Sequence, residues 1–478
     1  MNNLKNISIH WFRQDLRLFD NPGLLKASEA DCLMPIYILD DVNSNDYKMG
    51  AASKWWLHKS LIKLNESLNN NLSIYKGNPK EILSSLIDRY NIKAIYWNRC
   101  YEPWRMLRDK EIKKFIKDKG IEVKTFNASL LWEPWDILKD DGTPYKVFTP
   151  FYKKGYLNTL SPRMPLDKPN IASYEIDQNK SLNLNDLNLI SDIKWYKEMD
   201  SLWNPGEVGA LNKLDLFLDS GLSNYKDGRN FPSKNNVSQL SPHIHFGEIS
   251  PNNIWYSAES KRTNQNIEQD LYHFQSELGW REFSYNLLYY NQNLPISNLQ
   301  KKFDSFPWQE NFEYLDKWKK GLTGYPIVDA GMRELWRTGY MHNRVRMIVG
   351  SFLVKNLLLH WKHGERWFWD CLIDADLASN SASWQWIAGT GADAAPYFRI
   401  FNPITQGLKF DSEGFYVRKY IPELKNMPNK YLFNPWESPK EILHEADVIL
   451  GTDYPYPIVD LKESRDKALN AFKSIKVS

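Results

Sequence analysis

Cysteine is scarce in this sequence, which contains only Cys32, Cys100 and Cys371, placed far apart. So few thiols exclude a disulfide framework and a four-cysteine iron–sulfur cluster, and their spacing does not match a zinc site. We therefore expect a protein without a bound metal that works in a reducing compartment, for which the cytoplasm fits best.

Long hydrophobic runs are also missing. The first residues carry no apolar stretch of the signal-peptide kind, and the best apolar run, residues 347–361, is interrupted by Lys355 and Asn356. This run is shorter than the roughly 20 apolar residues that cross a bilayer. We expect it to form a buried helix, and we expect no association with membranes.

A strong charge of either sign is absent as well, because the formal net charge is only +3 with 25% charged residues. Any affinity for nucleic acid must then come from a local basic patch and not from the whole surface. What the sequence has in abundance is aromatic side chains, with 20 Trp, 26 Tyr and 22 Phe. The hydrophobic content of 42% is typical of a soluble globular protein.

Short β-branched and aromatic runs alternate with helical patterns in the first part of the chain. This alternation predicts a doubly wound, parallel, Rossmann-like α/β domain over residues 1–130. No GxGxxG follows the first run, which excludes the dinucleotide fingerprint. The predicted strands are 7–12, 32–39, 72–77, 92–98 and 121–126, and the clearest predicted helices between them are 52–68 and 80–90.

The rest of the chain has a different pattern. Residues 131–200 are predicted to form an interdomain linker, since Asn, Asp, Lys and Ser are concentrated in 167–200. Residues 201–478 show amphipathic helical patterns, for example 266–290, and predict a second, helical domain. Two domains agree with a length of 478 residues, which exceeds one ordinary core.

Chemically suggestive residues occur at helical spacing in the predicted second domain. Glu277, Trp280 and Arg281 fall on one helical face, either as an ordinary Glu–Arg pair or as part of a site. The stretch 333–347 holds four arginines and one acid, and the placement of Asn343, Arg344 and Met347 suits neither a core nor a plain solvated face. We interpret this stretch as a surface that faces the phosphates of a nucleic acid.

Two acids and an amide lie together in the stretch DADLASN, residues 374–380. Metal binding is one interpretation, but no histidine accompanies the acids, and Arg346 is an equally good ion partner for Asp374. The next helical residues include Trp384 and Trp386, which point about 200° apart when they are two positions apart on a helix. We expect these two indoles to occupy different surroundings.

Motifs spread in order along the chain give it a specific resemblance. The sequence resembles the photolyase/cryptochrome family, and within it the class I DNA photolyases that act on cyclobutane pyrimidine dimers. The resemblance implies an N-terminal α/β antenna domain and a helical domain that holds FAD, active in its reduced form. The motifs are WFRQDLRLFDNPGL (11–24), VSQLSPHIHFGEISP (237–251), WREF (280–283), MHNRVRM (341–347) and DADLASNSASWQWIAGTGADAAPYFRIFNP (374–403).

The resemblance implies a set of flavin-binding residues. Asn380 would face the reactive edge of the flavin as a neutral amide, which adds no negative charge against the reduced cofactor. Val237 and Gln239 stand where bacterial members often carry Thr and Arg, a change that matters only if side chains and not backbone N–H groups hold the phosphates. The implied flavin-binding residues are Tyr225, Val237, Ser238, Gln239, Leu240, Ser241, Arg346, Asp374, Ala375, Asp376 and Asn380.

The same matching implies a lesion pocket, in which a flipped-out dimer is repaired by electron transfer from reduced FAD. Glu277 and Asn380 would be the catalytic residues. The implied DNA-binding residues are Glu277, Trp280, Asn343, Met347 and Trp386 at the lesion, with Arg229, Arg281 and Arg344 at phosphates. The implied electron relay to the surface is Trp384, Trp361 and Trp308.

Alternatives to this function stay open. A blue-light signalling cryptochrome shares the resemblance, although the sequence stops soon after the flavin domain, and a (6–4) photolyase should show a histidine pair where this chain has His342 and Asn343. For the antenna, Tyr101-Glu102 is followed by Pro103-Trp104-Arg105 and the folate ligands are missing. We expect folate to bind weakly or not at all, with a deazaflavin, a second flavin or no chromophore as alternatives. Apart from damaged DNA, we expect no obligate partner and a monomer.

Overall fold

A five-stranded parallel sheet forms the first part of the chain in the computed structural model, which describes residues 5–262, 267–394, 396–397 and 399–475. The strand order is β3-β2-β1-β4-β5. The strands are β1 (Ile7–Phe12), β2 (Cys32–Leu39), β3 (Ser73–Lys76), β4 (Ile92–Asn98) and β5 (Glu122–Phe126). β1, β2 and β4 have the predicted bounds, and β3 and β5 agree within one residue at each end, so the predicted α/β fold is confirmed.

Helices connect consecutive strands, as parallel pairing requires. Asparagine begins two of these helices, because the side chain of Asn21 accepts from Leu24 N and that of Asn78 accepts from Lys80 N. In each case proline occupies the first helical position, where a missing N–H costs nothing. The connecting helices are α1 (Pro22–Ala27), α2 (Ala51–Ser67), α3 (Pro79–Arg89) and α4 (Pro103–Asp118).

The remainder of the described chain is mostly helical, as predicted. The further helices are α5 (Phe148–Pro150), α6 (Lys197–Leu202), α7 (Glu207–Leu216), α8 (Tyr225–Gly228), α9 (Ser241–His245), α10 (Pro251–Glu259), α11 (Glu268–Tyr290), α12 (Phe312–Lys320), α13 (Pro326–Thr338), α14 (Asn343–Ser351), α15 (Trp361–Cys371), α16 (Leu377–Ala388), α17 (Pro403–Phe410), α18 (Phe415–Tyr420), α19 (Asn429–Leu432), α20 (Lys440–Glu445) and α21 (Leu461–Ser474). Asn266, in the predicted helix 266–290, and Ala395 and Phe398, in the motif 374–403, lie outside the described residues.

The chain divides into two compact units that are each built from separated segments. The first unit comprises residues up to Trp195 together with Trp203–Asp219 and Ser238–Gln292. The second unit comprises Tyr196–Leu202, Ser220–Val237 and the residues from Asn293 onwards. The predicted boundaries at residues 130 and 200 follow changes in sequence pattern and stay a prediction.

Late segments of the first unit satisfy buried polar groups near its sheet. The side chain of Arg17, 1% exposed, donates from Nη1 to the carbonyl oxygen of Gly247 at 2.9 Å. Glu207 accepts from the backbone N–H of Leu18 at 3.0 Å, and the buried carboxylate of Glu248 accepts from Trp56 Nε1 at 3.1 Å. These hydrogen bonds therefore join residues about 190 to 230 positions apart in the sequence within one unit.

The prediction of one buried helix over residues 347–361 is wrong. Helix α14 ends at Ser351, a π-helical turn follows over Phe352–Asn356, and α15 begins at Trp361. The break arises because Leu358 adopts a positive φ of 54° and its carbonyl oxygen accepts from Gln309 N at 2.8 Å. The interior position was predicted correctly, since this run belongs to the core of the second unit.

None of the helices in the described part of the chain is long and apolar enough to span a bilayer.

Candidate functional site

The predicted site residues lie in both units. The first unit carries Ser238, Gln239, Leu240, Ser241, Glu277, Trp280 and Arg281. The second unit carries Tyr225, Arg229, Val237, Trp308, Asn343, Arg344, Arg346, Met347, Trp361, Asp374, Ala375, Asp376, Asn380, Trp384 and Trp386.

An ion pair joins α14 to the segment before α16 in the second unit. Arg346 Nη2 lies 2.8 Å from Asp374 Oδ2, and Arg346 Nε donates to the carbonyl oxygen of Met341 at 2.8 Å. Burial disfavours the charged guanidinium, but the charge and hydrogen bond of Asp374, together with Tyr340 and Glu334, outweigh it and raise the pKa of Arg346. The ion-pair interpretation of Asp374 is therefore confirmed. Among the described residues, no group of three or more His, Cys, Asp or Glu side chains is arranged to hold a metal.

Asn380 lies in the first turn of α16, where its neighbours fix its amide group. Asp376 caps the helix by accepting from Ser379 N at 2.7 Å. Asn380 Nδ2 donates to the carbonyl oxygen of Glu365 at 3.0 Å, so Oδ1, at the other end of the amide, is the atom that can accept from a ligand N–H. Glu365 accepts from Ser381 Oγ at 2.8 Å, and burial raises the pKa of its carboxyl group to about 7.

The three relay candidates differ in burial. Trp384 is 3% exposed and contacts Phe368 edge-on at a centroid distance of 5.0 Å. Trp361 is fully buried, and its Nε1 donates to Asn298 Oδ1 at 2.9 Å, whereas Trp308 is half-buried.

A histidine that sequence reasoning missed contacts two of these indoles. The ring of His360 lies 5.2 Å from that of Trp308 and 5.5 Å from that of Trp361. Burial, with nearby cationic side chains, lowers the pKa of His360 to about 4, so the imidazole is neutral at pH 7. Its position just before Trp361 gave no motif signal, since its visible role is to cap α15 at Lys362 N.

The residues of WQW have three different surroundings. Trp384 is buried in the core of the second unit, and Trp386 is half-buried at its margin. Gln385 between them is fully buried and donates to the carbonyl oxygens of Leu294 at 2.7 Å and Ser297 at 2.9 Å. The separation of the two indoles is as their spacing predicts.

Cationic side chains gather around the start of α14. The guanidinium of Arg344 hydrogen-bonds Asn230 and lies 4.4 Å above the ring of Phe410. Burial lowers the pKa of Arg344, and the charges of Arg229 and Arg399 lower it further. Arg399, in the last motif, was missed because nothing in its spacing marks it.

His342 begins α14 beside these cations. Burial and the charges of Arg229, Arg344 and Arg346 lower the pKa of His342 to about 3, so this imidazole is also neutral. Its Nδ1 accepts from Arg344 N at 3.2 Å. Asn343 is exposed and Met347, one turn later, is half-buried. The arrangement leaves positive charge next to an accessible polar and thioether surface, which suits an anionic ligand.

The loop before α9 belongs to the first unit from Ser238 onwards. Gln239 has a φ of 52°, and its Oε1 accepts from Lys213 Nζ at 3.0 Å. Leu240 is buried, and Ser241 begins α9. The side chain of Gln239 is therefore held by the protein, as expected if this loop presents backbone and not side-chain donors.

Helix α11 carries Glu277, Trp280 and Arg281. The first two are half-buried, and the indole of Trp280 stacks on the ring of Phe148 at a centroid distance of 3.7 Å. Arg281 Nη1 donates to the carbonyl oxygen of Ser129 at 2.7 Å, and the guanidinium lies 4.8 Å above the ring of Tyr285. Phe148 falls inside the predicted linker and was missed.

The carboxyl ends of β1, β2 and β4 hold a second set of charges. Arg13, just after β1, pairs with Asp109, and Arg108 pairs with Asp40 at 2.8 Å. Trp104 is half-buried next to Arg108, whose guanidinium lies 5.2 Å from its ring. This end of a doubly wound sheet, where the strand order reverses, is where such folds bind ligands.

Comparison with known proteins agrees with these features. Residues 8–169 match the family model described as DNA photolyase, and 274–474 match that of the FAD binding domain of DNA photolyase. A deoxyribodipyrimidine photo-lyase of Agrobacterium fabrum is 45% identical over 474 residues, which cover 98% of each chain. The chain belongs to the photolyase/cryptochrome family. Cryptochrome-1 of Arabidopsis thaliana is 35% identical over 486 residues, 98% of this chain and 70% of the relative.

A solved structure gives a further match. The crystal structure of a bacterial class III photolyase from Agrobacterium tumefaciens has a TM-score of 0.96 and 43% identity, and the match covers 100% of this chain and 99% of that one. The predicted family, the photolyase type of enzyme and the FAD cofactor are confirmed. The finer assignment of this chain to class I is not confirmed, because the Agrobacterium tumefaciens photolyase that it resembles is described as class III.

Proposed function

We propose that this chain is a light-dependent DNA photolyase that repairs cyclobutane pyrimidine dimers. The observation that carries the proposal is the cationic surface at α14, where the charges of Arg229 and Arg399 act on Arg344 beside the accessible Asn343 and Met347. Such a surface fits phosphates next to a flipped nucleotide. The relatives named deoxyribodipyrimidine photo-lyase support this choice of substrate class.

Contacts within the second unit support the proposed flavin-binding residues. The Arg346–Asp374 pair anchors the segment that leads into α16, Asp376 caps that helix, and Asn380 presents an acceptor atom fixed by Glu365. These residues would hold FAD, which in its reduced form would supply light-driven electron transfer to the dimer with no net redox change. Tyr225, Val237–Ser241 and Ala375 complete the proposed flavin site.

The proposed lesion residues act by stacking and hydrogen bonding. Trp280 and Trp386, both half-buried, offer indole surface to the dimer, and Asn343 and Met347 contact its edge. Glu277 stabilises the charge that develops on a dimer carbonyl group. Arg229, Arg281 and Arg344 hold neighbouring phosphates, with Arg399 added to this set. We further propose a monomer that works in the cytoplasm.

A (6–4) photolyase is the less favoured function for a structural reason. His342 is buried, its pKa is lowered to about 3, and its Nδ1 accepts from Arg344 N at 3.2 Å. A histidine in this state serves as a helix cap and is a poor proton donor at pH 7. The residue after it is Asn343, so no second histidine stands beside it in the sequence.

Illumination of the FAD-loaded protein with defined oligonucleotides tests the proposal. We expect blue light to reverse a single thymine dimer, and we expect no reversal in the dark or of a (6–4) product. Glu277→Ala should lower the quantum yield of repair more than it weakens binding to dimer-containing DNA. If blue light reverses neither lesion while the bound flavin still shows its photochemistry, the signalling function of a cryptochrome is favoured.

A further inference from the structure

A column of stacked aromatic rings lies behind Trp280 in the first unit. Phe148 covers one face of the Trp280 indole, with a centroid distance of 3.7 Å and an interplanar angle of 11°. Tyr152 continues the stack below Phe148 at 5.5 Å and 14°, and Tyr156 follows at 5.0 Å and 30°. Three of these four rings come from the short segment 148–156.

The base of this column is fixed and its tip is accessible. Tyr152 and Tyr156 are 2% and 1% exposed, and the ring of Tyr156 meets that of Trp132 edge-on at 4.3 Å. Phe148 and Trp280, at the other end, are half-buried. The column therefore extends from the interior of the unit toward solvent and ends on an indole.

A glycine in helix α11 leaves space for one ring of the column. A β-carbon on Gly279 would lie 2.5 Å from Tyr152 Cδ2, so the phenol ring packs where only glycine leaves space. Phe283, one turn after Gly279, meets Trp280 edge-on at 6.0 Å and 74°. One face of the indole is thus covered by Phe148 and one edge by Phe283, which sets the plane of the ring.

We propose that Phe148 is a positioning residue that holds the Trp280 indole with the face opposite Phe148 toward the lesion. This inference rests on the proposed function, in which Trp280 contacts the dimer. Because Phe148 occupies one face of the indole, only the opposite face is left for stacking on a flipped base. An indole held in one plane loses little conformational entropy when it binds, so Phe148 strengthens binding without touching DNA.

Binding measurements on the FAD-loaded protein test the inference. The dissociation constant is measured for one oligonucleotide with a single thymine dimer and for the same oligonucleotide undamaged. Phe148→Leu removes the flat face but keeps an apolar side chain, and Phe148→Tyr keeps the face. Since an aromatic pair contributes about 0.5–1.5 kcal/mol beyond its buried area, we expect Phe148→Leu to reduce the preference for damaged DNA about twofold to tenfold. Phe148→Tyr should keep the wild-type preference for damaged DNA.

Two further variants separate positioning from general damage to the fold. Tyr145→Leu alters a half-buried aromatic residue of the neighbouring chain that meets Phe151 edge-on at 6.2 Å and is not in the column. We expect it to leave the preference unchanged. In a Trp280→Ala background, Phe148→Leu should have no additional effect, because its action passes through the indole. Thermal unfolding and FAD content are measured for each variant.

The possible outcomes distinguish this inference from the proposed function. If the wild type does not prefer dimer-containing DNA, the proposed function fails and the inference fails with it. If Trp280→Ala loses the preference but Phe148→Leu keeps it, only the positioning role is overturned. Equal losses in Phe148→Leu and Phe148→Tyr, or an undiminished effect of Phe148→Leu without Trp280, also overturn it.

Discussion

The indole of Trp384 occupies the space next to the α-carbon of Gly364, where a β-carbon would stand well inside van der Waals contact with Cη2, Cζ2 and Cζ3. Because Trp384 is also packed against Phe368, it cannot move aside freely. We predict that Gly364→Ala lowers the free energy of unfolding by about 1–3 kcal/mol, although alanine favours helices over glycine by about 1 kcal/mol. Denaturant unfolding measures the loss.

Gly350→Ala is the matched control for that substitution. Its β-carbon would lie 3.3 Å from Ile387 Cγ2 and 3.6 Å from Trp384 Cζ3, close to ordinary contact. We expect a change of less than about 1 kcal/mol there. Because Gly364→Ala displaces the Trp384 indole, we also expect slower photoreduction of bound FAD in this variant. Equal photoreduction rates in Gly364→Ala and Gly350→Ala would contradict a role of Trp384 in the relay.

The division of roles within WQW gives a prediction about two phenylalanine variants. Trp384→Phe should abolish photoreduction of oxidised FAD by external reductant and leave dimer repair nearly intact after chemical reduction. Trp386→Phe should spare photoreduction and weaken dimer binding, since base stacking on an aromatic residue contributes roughly 1–3 kcal/mol. Transient absorption and binding on both variants measure this. Exchanged phenotypes would refute the assignment.

The extent to which the sequence predicts this structure depends on the kind of pattern. The strands of the sheet were predicted almost to the residue, because buried parallel strands such as β1 are continuous apolar runs. The interruption after α14 was missed, since the pairing of Leu358 with Gln309 depends on a segment remote in sequence. Hydrophobic periodicity does not report such a contact.

The predicted site residues come from continuous motifs and stay a prediction, and nothing in the sequence indicated contacts between residues that are far apart in the chain. Pairing of Arg346 with Asp374 was one of two interpretations of this acid, and the structure shows the pair. Phe148, His360 and Arg399 were missed, because each acts through a neighbour that only the folded chain brings close. A single aromatic or basic residue does not stand out as a site residue in a sequence that contains so many aromatic and basic residues.

The ion pair of Arg346 and Asp374 should be important for both stability and FAD binding. The side chain of Asp374 is 3% exposed, so Arg346→Ala leaves a buried carboxylate without its cation. We expect a loss of about 3 kcal/mol in the free energy of unfolding together with a lower FAD content.

An exposed pair in the same unit provides the comparison. Arg337 Nε lies 2.9 Å from Glu198 Oε2, and its side chain is 43% exposed. Arg337→Ala should cost at most about 1 kcal/mol and leave FAD content unchanged. Denaturant unfolding and flavin absorbance are measured on both variants, and similar losses would contradict a special role for Arg346.

The cationic surface at α14 predicts the salt dependence of DNA binding. Arg344→Ala should raise the dissociation constant and reduce the slope of log K against log salt concentration by about 1, because one phosphate contact is lost. Arg333→Ala is the control, since this arginine on the preceding helix α13 is paired with Glu423 at 2.6 Å. An unchanged slope in Arg344→Ala would remove it from the phosphate-binding set.

Glu334 predicts a pH dependence of stability. Its carboxylate accepts from Tyr416 Oη at 2.6 Å and from His342 N at 3.2 Å, but burial dominates and raises its pKa to about 7. The folded state therefore favours the protonated form. Its contribution to stability is complete below about pH 4.5 and is lost as the pH rises to about 7.

Glu334→Gln removes this ionisation while it keeps the size of the side chain. We expect the variant to gain stability relative to the wild type between pH 5 and pH 8, by at most about 3 kcal/mol. Denaturant unfolding at several pH values measures the difference. A difference between variant and wild type that stays constant with pH would show that Glu334 does not titrate in this range.

The separated segments of the first unit bear on how this protein can be synthesised. A nascent chain released as far as residue 200 already holds the whole sheet, but it lacks Glu207, Gly247 and Glu248, which satisfy Leu18, Arg17 and Trp56. Unpaired buried polar groups are costly, so the α/β segment is not stably folded until these later residues have been synthesised. Expression of the α/β segment alone should consequently yield aggregated protein, whereas residues up to 292 include every segment that completes the unit.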